Sequence, residues 1–542
     1  MSRSRLGRAV MIFAMLSAGL LTSIASHDLS AHDEGWRPFF AMRPLDFSIF
    51  EEELAGITAA EIANLDALIL EKTIPQLSEA MESGALTSYD LTLYYLYRVR
   101  TYDVNQLNSI VNLNPDVLEI ARERDAERAN GAIRGSLHGI PVLLKDNIAT
   151  GPYLHTSAGA AALASSMASR DAFLVTALRD AGAIIMAKTN MTEWANWMHH
   201  AIANGYSAVG GQIVSPYAER IDPSGSSSGS AVAITANFAP LAIGTETIGS
   251  IISPSGRSGV VGLKPSLGLI SRDMLIPITD EIDTAGPIAK NVTDVAIAMN
   301  VLARIEDEGD PLASNAHALI GADFTSGLNP NALQGIRVGI LAAEPAESDD
   351  YQLDYYALRE EVAAFEAAGA EIVIVRPPVF PELDWGMLFS CDIREEVDEY
   401  LNLVHAEFRS LAEIAEFNEE NPGIIPYGQE RFYEAAECPL TTKQIAALGT
   451  SVRELSAGYM DALFAASKVD ILVTIDDVFS LQYALAGFPA VSAPRGLSID
   501  GVPSGLTMIG PYLSDVQLLG YAYAFEQSGA WRAPPQFEMP GN

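Results

Sequence analysis

The sequence predicts an α/β protein with a largely parallel or mixed sheet, built as one large domain. Three observations carry that reading. Short apolar strand segments alternate with helical segments along most of the 542 residues, the pattern of a sheet covered by helices. No Pro/Gly/Ser-rich linker, internal repeat, heptad run or low-complexity segment interrupts the chain. Hydrophobic residues make up 49% and charged residues 19%, which suits a sizeable core and argues against long disorder. Length alone would allow about three domains; the missing linker favours one.

Taken in order, residues 1–25 have the form of a secretory signal peptide. Arg3, Arg5 and Arg8 precede the 13-residue, mostly apolar run 9–21, and Ser23 and Ala25 are small residues at −3 and −1 of a cleavage site. The chain is therefore expected to be exported, with the remaining domain over 26–542 and a signature core at 135–290. Residues 58–83 and 88–103 read as helices, separated by Gly84, with Thr87 or Ser88 as cap. Residues 108–113 read as a strand, and Pro115 suits the first turn of the helix after it. A helix at 171–181, a buried strand at 183–187 and a helix start at 192–198 follow. Strands are expected at 239–244 and 260–263, and a helix at 293–304. A strand–helix–strand unit occupies 337–341, 352–368 and 371–375. Residues 385–417 are mostly helical and acidic, part of a helical insertion over 380–440 that would lie outside the sheet. A helix at 442–467, strands at 470–474 and 490–493, and a helix at 516–527 close the pattern.

Composition excludes some functions. Acidic residues number 69 against 33 basic, for a net charge of −36. Non-specific nucleic-acid binding through a basic face is ruled out. Only seven basic residues are lysines, and a low-lysine, acid-rich surface also fits a salty habitat. Beyond the leader, no stretch approaches the ~18 consecutive apolar residues of a membrane helix. The two cysteines, Cys391 and Cys438, are read equally well as a bridge in an oxidising compartment or as two buried thiols.

Residues 221–265 carry the chemistry. Gly and Ser dominate this stretch although it lies among apolar runs. A buried Gly/Ser backbone must satisfy its amides, and aiming several at one spot makes an oxyanion site. Upstream, Lys145 ends the apolar run Ile140–Leu144. At a strand end and partly buried, it would lose its charge more readily and serve as a base near neutral pH. A lysine paired with Asp146, or reaching outwards, is the plainer reading of the residue type alone.

The segments Gly139–Asn147, Gly225–Ser230 and Gly244–Pro254 resemble the three landmarks of the amidase signature family. Ser226 and Ser250 are 24 residues apart, as that family spaces them. The resemblance spans about residues 60–530 and includes Trp194-Ala195-Asn196, Gly262-Leu263-Lys264-Pro265, Asp283–Pro287 and Ala486–Ala490. Gly210-Gly211-Gln212 and the Gly244-Thr245-Glu246-Thr247 start are most similar to the peptide-amidase branch. The resemblance implies a mixed, many-stranded twisted sheet covered by helices. It also implies an amidohydrolase with a serine–serine–lysine triad. No ligand cluster or nucleotide loop is read in the sequence, so no metal or cofactor is expected. Ser250 would be the nucleophile, Ser226, held by a cis peptide bond, the relay, and Lys145 the base. The backbone amides of Thr247, Ile248 and Gly249 would form the oxyanion hole. The implied partner is a small-molecule or peptide amide. Three positions depart from the family pattern: Ile248, Ile252 and Ser228. A β-branched Ile248 would fit poorly if its φ were positive.

Other readings are weaker. Gly225–Gly229 matches the G-x-S-x-G nucleophile elbow, which would make Ser227 the nucleophile. That elbow needs a strand before it, where Asp222-Pro223 stands, and only His317 and His405 follow as histidine partners. His199-His200 lacks the spacing of a metal site. An amidotransferase subunit acting on charged tRNA conflicts with a secretory leader, and an inactive binding protein conflicts with an intact Lys145, Ser226 and Ser250.

Overall fold

Strands form where β-branched and aliphatic runs can be buried on both faces. Eleven of them hydrogen-bond into one sheet. In chain order the strands are β1 (Ile110–Leu113), β2 (Pro141–Lys145), β3 (Ile184–Thr189), β4 (Tyr206–Ser207), β5 (Gly211–Gln212), β6 (Leu241–Glu246), β7 (Val261–Lys264), β8 (Thr284–Ala289), β9 (Arg337–Leu341), β10 (Glu371–Val375), β11 (Ile471–Ile475), β12 (Ala490–Leu497) and β13 (Pro503–Ile509). The sheet order is β1-β3-β2-β6-β8-β7-β12-β13-β11-β9-β10, and β4 and β5 pair apart from it. Parallel pairs β3–β2–β6 and β11–β9–β10 flank an antiparallel centre. The sheet is thus mixed, as expected. The computed structural model describes residues 44–341 and 357–537, within a compact unit Ala41–Asn542. The leader at 1–25 and residues 352–356 of the expected 352–368 helix lie outside the described residues.

Helices cover this sheet. Val292–Leu302 and Asp515–Gln527 pack on each other and on β8 and β12. The fully buried helix Ser228–Thr235 packs on β6 and β8. Ile252–Arg257 lies on β7, β12 and β13. The 380–440 insertion contains Trp385–Leu403, Leu411–Glu420 and Glu430–Ala436. Cys391 in the first of these is disulfide-bonded to Cys438, with a Cα–Cα distance of 5.2 Å. Among the described residues, no helix is long and apolar enough to cross a membrane.

Some elements differ from expectation. The 58–83 helix is two helices, Ala59–Ile69 and Ile74–Glu82. Pro75 and a reciprocal Thr73–Gln76 capping box start the second, so the helix cannot run through. The 88–103 helix is α-helical over Ser88–Arg98, capped by Thr87, and then π-helical over Val99–Leu107. The 192–198 helix start is only a tight turn, with φ of 51°, 52° and 73° at Trp194, Ala195 and Asn196. Strands β8 and β13 were not foreseen. Both contain Gly and Pro, which break the apolar pattern, yet both sit inside the sheet.

Candidate active site

Strand β2 is buried along its length and is flanked by parallel strands β3 and β6. Lys145 ends it with no solvent exposure. Its Nζ lies 2.7 Å from Ser226 Oγ, 2.8 Å from Thr245 Oγ1 and 3.0 Å from the Thr245 carbonyl. Burial brings its pKa down from 10.5 to about 7, while the carboxylates of Asp283 and then Glu246 pull it partly back. A neutral amine has two N–H donors and one lone pair. The two Thr245 oxygens match the donors, which leaves the lone pair for the Ser226 hydroxyl.

Ser226 sits before the buried helix Ser228–Thr235, and the Gly225–Ser226 peptide bond is cis. Thr192 N–H donates to the Ser226 carbonyl at 3.0 Å. Gly225 has to be glycine because a Cβ there would lie 2.3 Å from Thr192 Oγ1. The next residue ties the serine loop to the second serine: Ser227 N–H donates to the Ser250 carbonyl at 3.1 Å. Ser227 itself is spoken for. Its hydroxyl donates to the Thr245 carbonyl at 3.0 Å and accepts from Thr245 N–H at 3.2 Å. It is 0% exposed against 8% for Ser250. With no strand leading into it, the elbow reading fails.

Ser250 ends the turn that leaves β6. The left-handed residue of that turn is Gly249, with φ of 74°, and Ile248 is not among the positive-φ residues. The β-branched side chain at 248 is therefore unstrained by the turn. Thr247 Oγ1 donates to Asp283 Oδ1 at 2.5 Å, and Asp283 Oδ2 accepts the Ile278 and Thr279 amides. Thr245, Asn147 and Asp283 were missed as site residues. All three lie inside quoted motifs, but residue type alone does not say which of them face Lys145. Asn147 Nδ2 donates to Thr245 Oγ1 at 3.1 Å and so holds the lysine's acceptor in place.

His199 and His200 pair with Glu430 and Glu434, each at 2.8 Å, and join the turn after β3 to the helical insertion. Elsewhere, the carboxylates of Asp280, Asp392 and Glu396 converge within 4.8 Å. Burial pushes Asp392 up to about 7 and Glu396 up to about 8, with the neighbouring carboxylates adding to the rise.

The family model described as Amidase matches residues 90–474. The chain belongs to the amidase family. It is a hydrolase of that family, with the family's α/β architecture of a mixed sheet covered by helices. A probable amidase of Arabidopsis thaliana is 34% identical over 482 residues, covering 86% of this chain and 92% of that protein. The native peptide amidase of Stenotrophomonas maltophilia superposes with a TM-score of 0.80 at 38% identity, covering 86% of this chain and 99% of that one. An amidase family protein from Bacillus anthracis str. Ames gives a TM-score of 0.84 at 32% identity, covering 91% and 97%.

Proposed function

We propose that this amidase cleaves a linear carboxamide through an acyl-serine intermediate, with a peptide C-terminal amide as the favoured substrate. The observation that carries the reading is the 2.7 Å contact between the buried, near-neutral Lys145 and Ser226, one residue from the amide that binds Ser250. Ser250 Oγ attacks the carbonyl carbon as its proton passes to Ser226, whose own proton passes to Lys145 Nζ. The carbonyl electrons move onto oxygen, where the open backbone amides of Thr247 and Ile248 stabilise them, each donor contributing about 3–4 kcal/mol; the Gly249 amide, expected to join them, serves the Glu246 carboxylate instead. The C–N bond breaks as the nitrogen takes the proton back through the relay. Water then attacks the ester, its proton leaving by the same path, and Ser250 is released with the free acid.

Similarity to the Stenotrophomonas maltophilia peptide amidase supports the peptide amide. Arylamides, fatty amides, carbamates and esters are the alternatives within the same chemistry. Export is proposed as well, supported by the form of residues 1–25 and by the Cys391–Cys438 bridge, which suits an oxidising compartment. The test is a turnover panel of a C-terminally amidated dipeptide, an anilide, a long-chain amide and an ester. The dipeptide amide should give the highest kcat/KM and release ammonia. Preference for another class would reject the peptide-amide substrate, and no hydrolysis of any would reject the activity.

A further inference from the structure

The turn between β6 and the helix Ile252–Arg257 presents a run of backbone amides, and each needs an acceptor or a purpose. Glu246, the last residue of β6, takes those on the helix side. Its Oε2 accepts from Ile251 N–H at 2.7 Å and Ile252 N–H at 3.0 Å, and the Gly249 amide also stabilises its charge. Ser253 N–H closes on the Gly249 carbonyl at 2.8 Å. Among the described residues, the amides of Thr247, Ile248 and Ser250 have no acceptor. The turn is thus divided between amides spent on one carboxylate and amides free to act together.

Glu246 is itself fixed. It is buried, its Oε1 accepts from Tyr483 OH at 3.3 Å, and the charge of buried Lys264 on β7 partly holds down a carboxyl that burial raises. A charged acceptor holds amides more tightly than a neutral one. We propose that Glu246 is a positioning residue, whose carboxylate shapes the turn so that the Ser250 hydroxyl and the open amides converge on one carbonyl group. This rests on the acyl-serine reading above.

The groups that face Lys145 are Asp283 and Glu246, and those that face Glu246 are Lys264 and Tyr483. Loss of the Glu246 charge therefore leaves Lys145 with Asp283 alone and lowers its pKa, which a purely structural role would not do. Glu246→Gln and Tyr483→Phe are compared with the native full chain. The readouts are the rate at which a fluorophosphonate labels Ser250, and kcat and KM for p-nitrophenyl acetate per titrated site. Glu246→Gln should label Ser250 about 10–100-fold more slowly, with KM changed less than about threefold. Its half-maximal rate should move to lower pH. Tyr483→Phe leaves the carboxylate in place and should slow labelling about fivefold, the worth of one hydrogen bond. A native labelling rate, or an unmoved pH midpoint, in a folded Glu246→Gln would overturn the proposal. If Glu246→Gln does not fold, a native rate in Tyr483→Phe overturns it. Labelling of the native enzyme at a residue other than Ser250 would instead reject the acyl-serine reading itself.

Discussion

Lys145 decides the chemistry at the scale of single residues. Its pKa of about 7 means that it is protonated, and unable to accept a proton, in acid. Activity should therefore rise with pH through about 7, and kcat/KM measured on an anilide from about pH 5 to about pH 9 should show that single rise. A midpoint above about 9 would mean that the lysine is an ordinary charged one. Lys145→Ala should cost about 10²–10⁴-fold in kcat, the usual worth of a general base, and Ser226→Ala should add little on top of it because the two act as one relay. Lys145, Ser226 and Ser250 were legible in the sequence because three ordered segments at family spacing point to them together. Glu246 and Asp283 were not singled out. A carboxylate that collects backbone amides looks, in sequence, like any other carboxylate; only the fold shows which amides reach it.

At the scale of elements, legibility followed local rules. The helix 442–467 and the strands 337–341 and 371–375 have the expected bounds, since each has a clear pattern and a cap or turn at its ends. Trp194–Asn196 escaped because three successive left-handed residues are imposed by tertiary packing, against their own preference. Pro75 was a readable helix-breaking signal; strands β8 and β13 were hidden by Gly and Pro that the sheet tolerates. The Cys391–Cys438 pairing could not be read from sequence, as separation alone gives no Cα distance. It closes a 47-residue separation around the helical insertion. Cys391→Ser with Cys438→Ser should lower unfolding free energy by roughly 4 kcal/mol, from loop closure. Urea unfolding of the oxidised protein and the double variant measures this; equal midpoints would contradict it.

For the whole molecule, charge is the feature with a measurable consequence. The net charge is −36 with only seven lysines, and four of those, Lys145, Lys188, Lys264 and Lys290, are buried. Burial brings the last three down to about 8, so the surface is left with very few positive lysines to offset its acids. Self-repulsion of this kind is screened over a Debye length of roughly 10 Å at 0.1 M salt. The melting temperature should rise as NaCl is added, and a flat or falling Tm would show that repulsion does not limit stability.

Everything proposed for the site depends on Ser250, served by Ser226 and Lys145, forming the covalent intermediate. Mass spectrometry of the native chain after treatment with a fluorophosphonate tests it most directly. One adduct per chain is expected, on the peptide containing Ser250, and none in Ser250→Ala. An adduct on Ser227, or undiminished labelling in Lys145→Ala, would contradict it.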